Sequence, residues 1–146
     1  MACALHRVMG AKRYQDLVVW QIAEELRREI YRITANGKAA MDFRFRDQIR
    51  QAAGGICTNI AEGFGRLGSR EFAQFLRYAY ASALETAQWI DAGVARTHWT
   101  TADVAAARRI IERLKPPLLG LMRYLRTEKA EARSREVAIK KKNPHR

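Results

Sequence analysis

Apolar residues recur along this chain at steps of three and four, the spacing that lines one face of an α-helix. Leu17, Val19, Trp20, Ile22, Ala23, Leu26, Ile30 and Ile33 follow it, with Glu24, Glu25, Arg27, Arg28 and Arg32 on the other side. They predict a helix from about Asp16 to Ala35, closed by Asn36-Gly37 because glycine accepts the left-handed conformation that ends helices. Ile49, Ala52, Ala53, Ile56, Ile60 and Ala61 predict a second helix from about Phe45 to Phe64, with Gly63 and Gly65 at its exit. Phe72, Leu76, Ala79, Ala83, Ala87 and Ile90 predict a third, with Ser69 as N-cap and an end between Gly93 and His98. Val104, Ala107, Ile111, Leu114, Leu118, Leu121 and Leu125 predict a fourth from Thr100 or Thr101, with Asp103 completing its cap. No stretch alternates with period two, so no strand is expected.

The predicted connections are short, roughly 37–44, 65–68 and 94–99. Short links between long amphipathic helices make antiparallel neighbours, so the expected fold is all-α, an antiparallel up-and-down four-helix bundle. Three parts are expected: a flexible basic leader over 1–13, the bundle over 14–127, and a basic disordered tail over 128–146. Met9-Gly10 just before the bundle suggests Met9 as a start, with residues 1–8 dispensable. Two places break local rules. Gly54-Gly55 lies inside helix two, where each glycine costs about 1 kcal/mol relative to alanine. Close approach of another helix would offset that cost. Pro116-Pro117 lies inside helix four, yet the apolar stripe keeps phase across it, which predicts a kink and not an end.

Charge adds a second signal. Among 146 residues, 27 are Lys or Arg and 15 Asp or Glu, a net charge of +12. Residues 1–13 contribute +3 and residues 126–146 contribute +5, so two-thirds of the excess lies at the ends. Two readings are open: solvated tails that keep the protein in solution, or arms that follow a phosphate backbone. No apolar run reaches the ~18 residues of a membrane span. Two cysteines, Cys3 and Cys57, rule out a disulfide scaffold and fit a reducing cytoplasm.

Catalytic chemistry is not indicated. His6, His98 and His145 lie at the two ends and in a loop, with no acid or cysteine at ligand spacing. The Glu-x-x-His pattern of di-iron bundles is absent, and no arginine precedes a histidine at the spacing of helical RNases. Gly63-Phe64-Gly65 ends a helix where a phosphate loop would open one. Cys57 reads as a buried, inert thiol. No catalytic residue, metal or cofactor is expected.

The most distinctive stretch is Asn59-Ile60-Ala61-Glu62-Gly63-Phe64-Gly65-Arg66. Asn59 and Glu62 share a helix face, with Arg50 and Asp47 upstream. One reading is a polar cluster that fixes the turn into helix three, with Glu62 and Arg66 as a pair. The other places these groups at a subunit seam or a ligand surface. Together with Tyr14-Gln15-Asp16-Leu17-Val18-Val19-Trp20-Gln21, Arg50-Gln51-Ala52-Ala53 and Glu71-Phe72 through Phe75-Leu76-Arg77, this stretch resembles the four-helix-bundle proteins encoded in intervening sequences of bacterial large-subunit ribosomal RNA genes. That family is related to the accessory variability protein of diversity-generating retroelements. The resemblance spans about residues 14–125. Gly54-Gly55, Cys57 and Pro116-Pro117 depart from the usual pattern.

The resemblance implies a non-catalytic homo-oligomeric ring, a pentamer, whose relatives bind nucleic acid and a reverse transcriptase. Two functions then compete. The first is binding of nucleic acid, structured RNA or RNA/DNA, or of an RNP partner, through Arg66, Arg70 and Arg77 and through Arg108, Arg109 and Arg113, with Phe64, Tyr78 and Tyr80 as stacking aromatics. The second is a scaffold or protein–protein ring, since Trp20, Trp89 and Trp99 exceed what the inner stripe holds. Asn59, Glu62, Gly63, Gly65, Arg50 and Trp20 carry the structural motif in either case.

Overall fold

The computed structural model describes residues 10–142. Residues 1–9 of the leader expected over 1–13, including the proposed start at Met9, and residues 143–146 lie outside the described residues. The described residues form six α-helices that pack antiparallel, and no strand. They are α1 (Val18–Ile33), α2 (Gly37–Met41), α3 (Phe43–Phe64), α4 (Ser69–Ala95), α5 (Ala105–Leu125) and α6 (Glu128–Lys142), preceded by a 3-10 turn (Tyr14–Asp16).

The four long helices α1, α3, α4 and α5 enclose one core. Each packs against the helices next to it in chain order, and α5 closes the circuit on α1. Leu26, Ile30, Ile49, Ile56, Ile60, Leu76, Ile90, Ile111, Leu114 and Leu118 are all but inaccessible within it. The apolar stripes read from the sequence supply these residues, as expected for helices stabilised by burying one face.

Element ends differ from expectation for local reasons. Gly37 takes φ +71° and opens the short helix α2 inside what was expected to be loop. Asp42 begins α3, its Oδ1 accepting from the Phe45 amide at 3.3 Å. Ser69 is not the N-cap of α4: Gly68 holds that position, and the buried Ser69 hydroxyl has no hydrogen-bond partner among the described residues. Thr100 and Asp103 do form the reciprocal cap, with Thr100 N donating to Asp103 Oδ2 at 2.8 Å and Asp103 N to Thr100 Oγ1 at 3.3 Å. The regular helix starts only at Ala105, after a turn.

Helix α5 runs through Pro116-Pro117 without ending. The prolines deprive the carbonyls of Glu112 and Arg113 of their helical donors. Both residues are exposed, where water can serve those carbonyls. Of the adjacent glycines Gly54 and Gly55 in α3, only Gly55 meets a neighbour. A Cβ there would lie 3.3 Å from Ser82 Oγ of α4, whereas one on Gly54 would meet nothing within 4 Å. Close packing therefore accounts for Gly55 and not for Gly54.

The largest departure lies at the C-terminal end. Segment 128–142, expected to be disordered, is helical, with Ala130 buried against the bundle. Its charged surface hid a single apolar contact too sparse to register as a period.

Candidate nucleic-acid interface

The arginines expected as a second patch on α5 do not share one face. On α5, Arg108 leans toward α4 and pairs with Asp91 at 2.8 Å, while Arg113 leans toward α1 and grips Glu25 at 2.9 and 3.1 Å. The two point to opposite flanks of their helix, because α4 and α1 lie on its two sides. Arg109 is exposed, and no described residue pairs with it.

The α3–α4 corner is more coherent. Arg66 Nη2 bonds Glu62 Oε1 at 2.7 Å and its Nη1 bonds Glu71 Oε1 at 3.2 Å. The expected Glu62–Arg66 pair is thus present, with Glu71 added from α4. The same guanidinium lies over the Phe75 ring at 4.9 Å, and Phe75 meets Tyr78 edge-on at 5.8 Å. Tyr78 is half-exposed beside Arg77, which is exposed and has no carboxylate partner among the described residues. Of the other aromatics named as stackers, Phe64 and Tyr80 pack against the core. Arg70 forms an ion pair with Glu131 of α6. That pair, with Ala130, fixes the cationic helix α6 beside the start of α4. Helix α6 ends in Lys140, Lys141 and Lys142.

The distinctive motif separates into parts. Asn59 Nδ2 donates to the Gly55 carbonyl at 2.8 Å, and Thr58 Oγ1 to that of Gly54 at 3.1 Å. At Gly63 helix α3 meets α4 closely, since a Cβ there would lie 2.7 Å from both Phe72 and Phe75. Arg50 and Asp47 do not join this cluster. Asp47 pairs with Arg46, and Arg50 reaches α1, where its Nε donates to Thr34 Oγ1 at 2.8 Å and its Nη2 to the Thr34 carbonyl at 3.3 Å. Trp20 meets Tyr14 edge-on at 5.2 Å. These two rings, with Glu62, Gly65 and Arg66, line an open cleft of about 700 Å³ between α1 and α3.

The model of the 23S rRNA-intervening sequence protein family matches residues 15–120, nearly three quarters of the chain. The chain belongs to that family. The span matched by the intervening-sequence family covers the four-helix core and the motif through Arg66, and stops short of α6. No curated protein matches the chain significantly.

Other groups in this intervening-sequence protein bear on chemistry. Cys57 lies at the base of the α1–α3 cleft. Burial, and the neighbouring Glu24 carboxylate 3.8 Å away, push its thiol up to about 12, so it is not a nucleophile near neutrality. His98 does have an acid beside it, which sequence spacing did not reveal. Its Nε2 is 2.9 Å from Asp42 Oδ2, across 56 residues of chain. Asp42 also receives Arg96 at 3.4 Å. The His98 hydrogen bond, then the Phe45 amide, hold the Asp42 carboxyl below its ordinary value. No group of three His, Cys, Asp or Glu among the described residues is placed to hold a metal ion. None of the described helices is long and apolar enough to cross a membrane.

Sequence reasoning missed the aromatic–guanidinium contacts made by the first half of α3. Arg46 lies over Phe43 at 5.1 Å, and Arg50 over Tyr31 at 4.3 Å. The alternation Phe43-Arg44-Phe45-Arg46 was the available signal.

Proposed function

We propose that this family member is a non-enzymatic, self-associating protein that binds nucleic acid, structured RNA or RNA/DNA, along the first half of α4 and the adjoining helix α6. The observation that carries the reading is the Arg70–Glu131 tie. It turns the basic tail from a loose arm into a helix held beside Arg70, on the helix that also carries Arg77 and Tyr78. Arg70 and Arg77 are two helical turns apart, about 10 Å along α4. Rigidly spaced cations register on a phosphate backbone, which flexible arms do not. The half-exposed Tyr78 offers a ring on which an unpaired base can stack. A homo-pentameric ring in the reducing cytoplasm, expected from the family resemblance, would repeat this surface in a fixed array.

A scaffold role, with a reverse transcriptase or other protein as partner, rests on a different observation. Met41, Phe43, Leu67 and Leu84 are large apolar side chains left exposed.

Mobility shifts with a structured RNA at two salt concentrations test the main reading. The Arg70→Ala/Arg77→Ala variant and a truncation after Thr127 are each expected to weaken binding. Each should also flatten the salt slope by roughly 0.7–0.9 for every phosphate that is no longer neutralised. Light scattering on the same samples reports the oligomer mass. Unchanged affinity and slope in both variants would refute this surface, and a monomeric mass would refute the ring.

A further inference from the structure

We propose that the exposed face of α4 docks a second copy of this chain, the two α4 helices lying antiparallel about a two-fold axis beside Ala81. The pairing does not depend on the nucleic-acid reading above, although both use Arg77 and Tyr78.

Two unused opposite charges carry the proposal. Between Gln74 and Gln88, α4 has one cation, Arg77, and one anion, Glu85. Both are exposed, and neither has an ion-pair partner among the described residues. They stand four residues to either side of Ala81, about 12 Å apart along the helix, too far to pair with each other. Tyr78 and Leu84, both half-exposed, stand three residues to either side, and Gln74 and Gln88 seven. At 3.6 residues per turn these seven side chains share about one third of the helix circumference. It lies opposite the stripe of Phe72, Leu76, Ala79, Ala83 and Ile90 that enters the core.

A two-fold contact requires a patch that complements itself, and a face arranged symmetrically about one residue meets that condition. With the helices antiparallel, Arg77 and Tyr78 of one copy come level with Leu84 and Glu85 of the other, twice over. Each guanidinium then finds a carboxylate, and each phenol ring an aliphatic neighbour. Parallel helices would instead set arginine against arginine and glutamate against glutamate, which like-charge repulsion disfavours. Ala81 adds no bulk at the centre, so the axes can approach to the about 8–10 Å of packed helices. The carboxylates that come level further out, Glu71 and Asp91, are already held by Arg66 and Arg108. Net charge also favours this face. At +12, two copies repel on average, whereas segment 74–88 sums to zero. One helix face is smaller than the ~800 Å² per partner of a standard complex, so the pair is weak and forms as concentration rises. Docking covers Arg77 and Tyr78, so a second copy and a nucleic acid bound along the first half of α4 exclude one another.

Cross-linking of the full-length protein reads this geometry directly. In a Cys3→Ser background, with Cys57 buried, Ala81→Cys places two thiols on the axis within disulfide reach. Gln88→Cys instead leaves them about 21 Å apart along the helices. After oxidation with diamide at high micromolar protein, Ala81→Cys is expected to run as a covalent dimer on a denaturing gel and Gln88→Cys as a monomer. Adding Arg77→Glu to Ala81→Cys should slow cross-linking at least fivefold, because like charges then face each other. Adding Glu85→Arg as well should restore it. All these positions on α4 are exposed, so the core is untouched. Equal cross-linking at both cysteine positions, or none in Ala81→Cys, overturns the two-fold pair. Failure of the double reversal to restore cross-linking overturns the antiparallel register. A structured RNA hairpin should also slow cross-linking of Ala81→Cys. A hairpin that binds and leaves the rate unchanged overturns the mutual exclusion. No hairpin binding by the unaltered protein counts against the nucleic-acid reading, while the pair stands on its charge reversal.

Discussion

At the scale of single residues, the glycines of α3 separate two roles that look identical in sequence. Gly63 exists because α4 passes too close for a side chain: an added Cβ would lie 2.7 Å from Phe72 and Phe75, both anchored in the interhelical contact. Gly54 faces open space and leaves only the intrinsic cost of a flexible residue in a helix. Gly63→Ala is therefore expected to destabilise by about 1–3 kcal/mol, the usual range for overpacking. Gly54→Ala is expected to stabilise by about 0.5–1 kcal/mol, the propensity difference. Chemical denaturation of the two variants beside the parent checks both signs at once. Thr97 is a third case. It sits at φ +60° where α4 ends, with its N–H on the Val94 carbonyl and the His98 N–H on that of Gly93. That is the hydrogen-bond pattern of a glycine-type helix stop, carried here by a β-branched residue.

At the scale of elements, the polar links between helices matter more than the polar groups within one. Asp42 begins α3 and also receives His98 and Arg96 from the link between α4 and α5. These partners stabilise its ionised form, so its folded value lies below the ordinary 3.8. A depressed carboxylate adds stability that is present above its unfolded value and lost as pH falls through the folded one. Asp42→Asn is thus expected to lower the melting temperature at pH 7. It should also make the loss of stability between about pH 5 and pH 2.5 shallower than in the parent, which thermal melts across that range would show. Helix α6 is an element of another kind. Its one buried residue among those described is Ala130. Truncation after Thr127 should therefore remove helical circular dichroism but shift the melting midpoint little, because the bundle gives up almost no buried apolar area.

At the scale of the whole molecule, the net charge of +12 sets a background that single pairs do not cancel. Most ion pairs here join exposed side chains, such as Arg113 with Glu25, and exposed pairs contribute little. Self-repulsion of the net charge is the larger salt-sensitive effect. Raising NaCl from about 20 mM to about 300 mM shortens the Debye length several-fold. It is expected to raise the melting temperature, as a salt series in one buffer would show. A fall would mean that the pairs outweigh the net charge.

The sequence by itself determined the four amphipathic helices, because each carries a stripe at helical period that only burial against other helices can satisfy. It also determined their antiparallel order, since links of a few residues permit no other neighbour, and the Glu62–Arg66 pair, because residues four apart on a helix adjoin. Everything that required knowing which helices touch was decided by tertiary structure. Arg108 and Arg113 read as one patch on α5, yet packing between α4 and α1 drew them to opposite flanks. Arg50 read as part of a cluster with Asn59 and Glu62, yet it crossed to Thr34 and Tyr31 of the α1 end. His98 and Asp42, 56 residues apart, met only once the bundle closed. Helical periodicity is local information carried in every turn. The partner of a long charged side chain depends on which helix lies across the interface, and no spacing along the chain encodes that.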